Sequence, residues 1–383
     1  MESIIQKPYL DEYMRGLSHF ILSVLLTSLT VVTFSAQIPE LRSEIDKIIK
    51  YDTELDIDNN PGFIISIIDQ DSTFHISYGN IYSDSPSLPT AYDIYEVGSI
   101  TKSFTALLTL ALEERGYFSL KDPVNNYLDR NHQNPRLGNI TIHDLLVHTS
   151  GFPKYPDLFG RKMKDPQNPY KNYDKGDLLN YYSGYILDDE PRIKYSHTNY
   201  ALLEIILEKA TGSVLQQLMR KYILNPMKMD NTFMTWNKES DIDLSPGYDK
   251  ASRITEPWMY KSFITSEGVK STAQDLCSYI NFQVNDDIQG SLSNVISKAQ
   301  EIQVPNSLNE SISSAYGWQV FSRNKDGYPI FTYTGRTSGH NAFIAFVKET
   351  KTAVIILSNS VLGTEDLGLQ VLRLINYNWK RKV

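Results

Sequence analysis

The chain has 383 residues, 41% of them hydrophobic and 21% charged, ordinary values for a soluble globular protein with a large core in one big domain or two interleaved ones. A net charge of -8 and a pI near 5.5 argue against nucleic acid or anionic lipid as the main partner, and no basic stripe runs through the sequence. The single cysteine, Cys277, permits no internal disulfide and rules out a cysteine-rich zinc site; it is expected to pack as a small buried apolar residue.

Between Gly16 and Ala36 there is no Asp, Glu, Lys or Arg, and Phe20–Leu26 begins a markedly apolar core. Residues 1–36 therefore read as a signal peptide or an N-terminal anchor, ahead of one globular domain over 37–383. Glu2, Asp11 and Glu12 are odd ahead of such a core, whereas a start at Met14 gives a well-formed short signal. Cleavage after Ser35 or Ala36 is one outcome. Retention as a membrane anchor is the other, since about 20 uncharged residues just span a bilayer. Either way the protein is expected to be exported, periplasmic or extracellular, with membrane attachment possible only through this segment.

Leu41, Ile45, Ile48 and Ile49 fall on one face of a helix over Ile38–Tyr51. Phe63–Ile68 and Thr73–Tyr78 read as a hairpin around Asp69-Gln70-Asp71-Ser72. Next comes Val97-Gly98-Ser99-Ile100-Thr101-Lys102, where an extended run turns into an apolar helix. Residues three apart share a helix face, so the Ser99 hydroxyl and the Lys102 amine can meet. A serine becomes a nucleophile when a neighbouring base takes its proton, and an apolar helix supplies the burial that would make lysine such a base. On its own Ser-x-x-Lys is a weak signal that occurs in many capped helices.

From Thr101 to about Gln303 the chain reads as mainly helical, with the longest polar loop at Lys154–Lys175. Within it, Lys194-Tyr195-Ser196-His197-Thr198-Asn199-Tyr200 stands directly before a helix over Ala201–Thr211. Strands return at Tyr328–Thr334, Asn341–Val347 and Thr352–Ser358, and a helix over Glu365–Trp379 closes the chain. Tyr333-Thr334-Gly335-Arg336-Thr337-Ser338-Gly339-His340 lies on the edge of these late strands. The fold expected is α+β: one antiparallel sheet built from both termini and flanked by helices, with a mainly helical domain inserted and the site in the cleft between them.

The motifs occur in an order that strongly resembles the class C serine β-lactamases and their relatives, the penicillin-recognising DD-peptidases and esterases. Val97–Ala106 matches the first motif and Leu145-Leu146-Val147-His148-Thr149-Ser150-Gly151-Phe152 a family landmark. Tyr195-Ser196-His197 stands where the family has Tyr-x-Asn, and Tyr333-Thr334-Gly335 where it has Lys-Thr-Gly or His-Thr-Gly. Ser271–Leu276 and Ala315–Trp318 add support, and the resemblance runs from about Phe63 to the C-terminus.

The resemblance implies that Ser99 attacks a carbonyl to form an acyl-enzyme while Lys102 and Tyr195 share the proton traffic. It places the oxyanion between the backbone N–H groups of Ser99 and Arg336, with the strand carrying Tyr333, Thr334 and Gly335 along the substrate. No metal or organic cofactor is implied. His197 replaces an amide that contacts both lysine and substrate; neutral imidazole keeps one such contact, and its protonation would repel Lys102. Tyr333 replaces a cation that helps bind a substrate carboxylate, and Arg336 either restores that charge or points outward. His148 is expected to be architectural and His340 to line the cleft wall. The function expected is a DD-peptidase- or esterase-like serine hydrolase acting on a peptidoglycan-type peptide, an ester or another small molecule. The alternatives are a class C-type β-lactamase and a low-turnover penicillin-binding protein that keeps the fold as a binding module.

Overall fold

The computed structural model describes residues 38–53, 61–187, 193–236, 242–285, 292–309, 311–321 and 327–380. Residues 1–36, read above as a signal peptide or N-terminal anchor, lie outside them. Two units are present, Met1–Thr53 and Glu54–Val383. The described part of the first is the helix Ile38–Asp52, one residue longer than expected.

In the second unit an eight-stranded antiparallel sheet carries the architecture. Its strands are β1 (Gly62–Asp69), β2 (Ser72–Gly79), β7 (Val304–Asn309), β8 (Ile312–Ala315), β9 (Trp318–Phe321), β10 (Ile330–Arg336), β11 (Asn341–Val347) and β12 (Thr352–Ser358), in the order β2-β1-β12-β11-β10-β9-β8-β7. Two short ladders complete the strand set: β3 (Ile94–Glu96) with β6 (Lys270–Thr272), and β4 (Gly247–Tyr248) with β5 (Ile254–Thr255). Pairing of β1 with β12, Phe63 opposite Ser358 through Asp69 opposite Thr352, joins the two ends of the chain as expected.

The central strands β11 and β12 are buried along their whole length, because the closing helix Glu365–Lys380 packs against them and the helix Ala273–Val284 packs against β12 and β1. A strand covered on both faces needs no polar alternation, so Thr352–Ser358 reads as a near-continuous apolar run. Edge strand β2 instead keeps one face more buried than the other, with Ile76 and Tyr78 buried and Thr73 and His75 exposed. The hairpin β1–β2 turns through Gln70, whose φ is 55°. Three strands of this sheet had no counterpart in the sequence reading: β7, β8 and β9 are short, and the first two are rich in Ser and Asn. Strand β10 begins at Ile330 rather than Tyr328 and runs on to Arg336.

In chain order the main helices, Thr101–Glu114, Lys175–Gly184, His197–Thr211 and Ala273–Val284, come between β1–β2 and the later strands of the sheet. The Lys154–Lys175 stretch is a loop interrupted by the single turn Phe159–Lys162. Cys277 is buried and free, and burial pushes its thiol up to about 12.

Candidate active site

The nucleophile turn is set by a glycine. Gly98 has φ +51°, and a Cβ built on it would lie 2.6 Å from Arg336 N, so only a residue without a side chain fits between the two backbones. Gly98–Ile100 forms a single 3₁₀ turn that runs straight into the helix Thr101–Glu114. That helix is buried on all sides from Thr101 to Leu112, which seats Lys102 with no solvent exposure at all.

A second segment is stitched along this helix. Thr101 Oγ1 accepts from Val269 N at 2.9 Å, and Thr105 Oγ1 donates to Thr265 O at 2.8 Å. The β3–β6 ladder continues the contact, with Val97 N donating to Val269 O at 3.1 Å. Held between these bonds, the short helix Ile264–Glu267 presents Ser266 O and the Glu267 carboxylate to Lys102. Lys102 Nζ donates to Ser266 O at 2.9 Å and to Glu267 Oε1 at 3.0 Å. The apolar helix buries Lys102 as expected, and the structure adds a buried carboxylate partner for its ammonium.

Tyr195 and His197 come from the entry to the helix His197–Thr211, which starts four residues earlier than expected. Ser196 caps it: its Oγ accepts from Asn199 N at 3.1 Å and donates to Pro153 O at 2.8 Å. The Leu145–Phe152 landmark is the bracket for this entry. Asn199 bonds Ser150 Oγ and Leu145 O, Tyr200 bonds Leu146 O, and His148 Nδ1 accepts from Ser196 N at 3.1 Å. His148 stands behind Tyr195 with its ring centroid 4.8 Å away, and burial, followed by the charge of Lys102, holds it well below the usual histidine range.

These elements converge on one oxygen. Ser99 Oγ lies 3.2 Å from Lys102 Nζ, 3.2 Å from Tyr195 Oη and 2.6 Å from Glu267 Oε1. His197 Nδ1 sits 2.6 Å from the same carboxylate oxygen and 3.3 Å from Lys102 Nζ, its ring stacked on Tyr155 at 4.9 Å. Burial alone would raise the Glu267 carboxyl, but Lys102 and His197 outweigh it and bring it down to about 2. Burial, then the Lys102 charge, push His197 down to about 4 against the pull of Glu267. Near neutrality the imidazole is thus neutral with its proton on Nδ1, donated to Glu267.

The last motif arrives on β10. Strand β9 pairs only with Ile330–Thr332, so Tyr333–Arg336 continues past it alongside the nucleophile turn. A Cβ on Gly335 would collide with the Val97 carbonyl and lie 2.8 Å from Ser99 N, which brings the amides of Ser99 and Arg336 to the same spot. Tyr333 is buried, and with Tyr195 and Tyr200 it lines a narrow pocket with room for about one water molecule. Burial and the nearness of Tyr195 hold its phenol protonated. Thr334 and Arg336 lie on the opposite strand face. The Arg336 side chain is exposed and extends toward Gly363 and Glu365. Beyond the strand, Ser338 Oγ and Trp258 Nε1 both reach Gln167 O, at 2.7 Å each, and so tie the Lys154–Lys175 loop to this edge.

Two positions differ from the sequence reading. His340 is not a cleft-wall residue: it is 2% exposed, its Nε2 bonds Ser245 O at 3.1 Å, and its ring packs edge-on against Tyr95. Glu267 was missed. It occurs once, between Ser266 and Gly268, in a stretch with no periodic or motif signal of its own; its proximity to Ser99 arises from a ladder between strands more than a hundred residues apart. Among the described residues no group of three or more His, Cys, Asp or Glu could hold a metal ion.

A family model described as Beta-lactamase matches residues 54–374. The chain belongs to the beta-lactamase family. It is a serine hydrolase of the beta-lactamase type. Penicillin-binding protein 4* of Bacillus subtilis (strain 168) is 28% identical over 330 residues, covering 79% of this chain and 69% of that one. Protein flp of Staphylococcus aureus (strain N315) is 26% identical over 327 residues, covering 83% of this chain; the chain spans 63% of that relative's length. Among solved structures, a β-lactamase/D-alanine carboxypeptidase from Pseudomonas syringae superimposes with a TM-score of 0.73 at 18% identity, covering 88% of this chain and 99% of that one. This last likeness establishes the beta-lactamase fold, in which the sheet flanked by helices is the shared frame.

Proposed function

We propose that this beta-lactamase family member cleaves amide or ester bonds through an acyl-Ser99 intermediate, with DD-peptidase or esterase chemistry rather than efficient β-lactam turnover. The observation that carries the reading is the convergence of Lys102 Nζ and Tyr195 Oη on Ser99 Oγ, each at 3.2 Å, beside the paired amides of Ser99 and Arg336. Ser99 Oγ attacks the carbonyl carbon, and the oxyanion forms between the two N–H groups at the amino end of a 14-residue helix. Tyr195 stands where it can hand a proton to the leaving group.

Support for a peptidase or esterase over a β-lactamase comes from Tyr333. Its neutral phenol occupies the strand position beside Tyr195 where a cation would attract a carboxylate-bearing drug. His197 lines the same site and offers imidazole in place of an amide. The backbone of Thr334, Gly335 and Arg336 is the edge along which a substrate would lie, with the Arg336 side chain directed away toward Gly363. A peptidoglycan-type peptide, a D-amino-acid derivative or a simple ester suits this neutral edge. The uncharged Gly16–Ala36 segment supports export, with the hydrolase acting outside the cytoplasm as a free or anchored protein.

The deciding experiment is the intact mass of the protein after excess benzylpenicillin, with Ser99→Ala as control, while drug loss is followed. A slow, persistent Ser99-dependent adduct supports the reading. Rapid Ser99-dependent turnover makes the protein a β-lactamase. With neither, the same assay on esters and D-amino-acid peptides follows, and failure there would leave only a binding role.

A further inference from the structure

Ser99 Oγ carries one proton and two acceptor sites. Its three neighbours fill that inventory in a single way. Glu267 Oε1, at 2.6 Å, is an ionised carboxylate oxygen that can only accept, so the Ser99 proton points there. The ammonium of Lys102 can only donate, and it takes one lone pair. Tyr195 Oη, at 3.2 Å, is left to donate to the other. In this arrangement Tyr195 is a proton source facing Ser99, not a sink for its proton.

We propose that Glu267 is the catalytic base that takes the Ser99 proton, with Tyr195 as the acid for the leaving group; the proposal rests on the acyl-Ser99 reading above. As the Ser99 O–C bond forms, the O–H bond breaks toward Glu267 Oε1 and the carbonyl π pair moves to the oxyanion. Collapse then breaks the bond to the leaving group, which departs with that pair and takes the Tyr195 phenolic proton. Once the leaving group has gone, the water that replaces it takes the Glu267 proton and gives one back to the Tyr195 oxygen, since the acylated Ser99 Oγ has no O–H with which to pass it on. In deacylation a water gives its proton to Glu267, its oxygen bonds the acyl carbon, and Oγ leaves with its electron pair and recovers that proton.

His197 and Lys102 keep Glu267 ionised and aimed. The other titratable groups around the carboxylate are the phenols of Tyr155, Tyr170, Tyr260 and Tyr333, all held protonated by burial. A carboxylate this acidic is a weak base, so the transfer is concerted with C–O bond formation rather than preceding it. A counter-ion alone would have to touch only Lys102. The closest contact of Glu267 to the nucleophile is instead shorter than that to the lysine.

The test separates base from acid by choice of leaving group. p-Nitrophenolate departs without a proton, so acylation by p-nitrophenyl acetate needs the base alone. Glu267→Gln is expected to slow this acylation by about 100-fold or more, the usual scale of general base catalysis. Tyr195→Phe is expected to slow it less than about tenfold while slowing amide cleavage by the same large factor as Glu267→Gln. The reverse pattern, with Glu267→Gln within about threefold of wild type on the ester and Tyr195→Phe inactive, would overturn the proposal. If Glu267→Gln does not fold, the wild-type pH profile for the ester serves: acylation that holds down to about pH 5 supports Glu267, and a loss centred at pH 7 or above rejects it. Reaction that survives Ser99→Ala, or no acylation at all, would instead bring down the acyl-Ser99 reading itself.

Discussion

Gly98 and Arg336 meet backbone against backbone: the space a Cβ would need on Gly98 is already taken by Arg336 N, 2.6 Å away. The nucleophile turn and the oxyanion strand are therefore not two independent parts but one contact. A methyl group at that point must push them apart.

Gly98→Ala is accordingly expected to cost activity more than stability. Left-handed backbone costs a non-glycine residue about 1–2 kcal/mol, while displacing one oxyanion donor costs about 100- to 1000-fold in kcat. Acylation rates measured beside thermal melts check this. A variant that melts near wild type yet acylates at the wild-type rate contradicts the geometry.

Lys102 and Glu267 are both fully buried, so each stabilises the other against an otherwise uncompensated charge. Lys102→Met should lower stability by about 3–5 kcal/mol, and the double replacement Lys102→Met with Glu267→Met should recover most of that loss. Urea midpoints of the two single variants and the double variant test the coupling. Additive losses would show that the pair does not act as a pair.

Acid sensitivity follows from His197 and Glu267. Folding moves His197 from about 6.5 to about 4, so the unfolded chain binds the extra proton first. Its contribution to stability is complete above pH 6.5 and is lost as the pH falls toward 4. Glu267 has the same sign in a lower window, from 4.5 down to about 2. Activity should likewise stay level until His197 gains a charge beside Lys102. His197→Asn should therefore shift the acid limb to lower pH, and an unshifted limb would remove His197 from the account.

Restoring a cation at the edge of the site should restore anion recognition. Tyr333→Lys is expected to raise the acylation rate by benzylpenicillin about tenfold, equivalent to ~1.4 kcal/mol, with neutral esters unaffected. Second-order acylation constants for both substrates give the answer. Equal changes on the two would mean that Tyr333 does not govern carboxylate selection.

Much of this was legible in the sequence because it is local. Ser99 and Lys102 are three residues apart on one helix, and the apolar positions around them announce that the helix is buried. β1, β11 and β12 are mostly apolar runs whose pairing could be guessed from their places at the two ends. What stayed hidden is long-range. Glu267 reaches Ser99 only because β6 pairs with β3, strands too short to show a period. His340 sits beside Gly339 in the last motif, yet its ring turns inward to Ser245 and Tyr95. β7 and β8 carry hydroxyl and amide side chains in place of an apolar face, so composition alone reads them as loop.

The pairing of β1 with β12 also brings the first and last strands of the sheet together. Ser99 is made early in synthesis, Tyr195 in the middle, Glu267 later, and the Gly335–Arg336 edge near the end. A chain that ends before β10 therefore has the serine, the lysine and the carboxylate but lacks the Arg336 amide that completes the oxyanion pair.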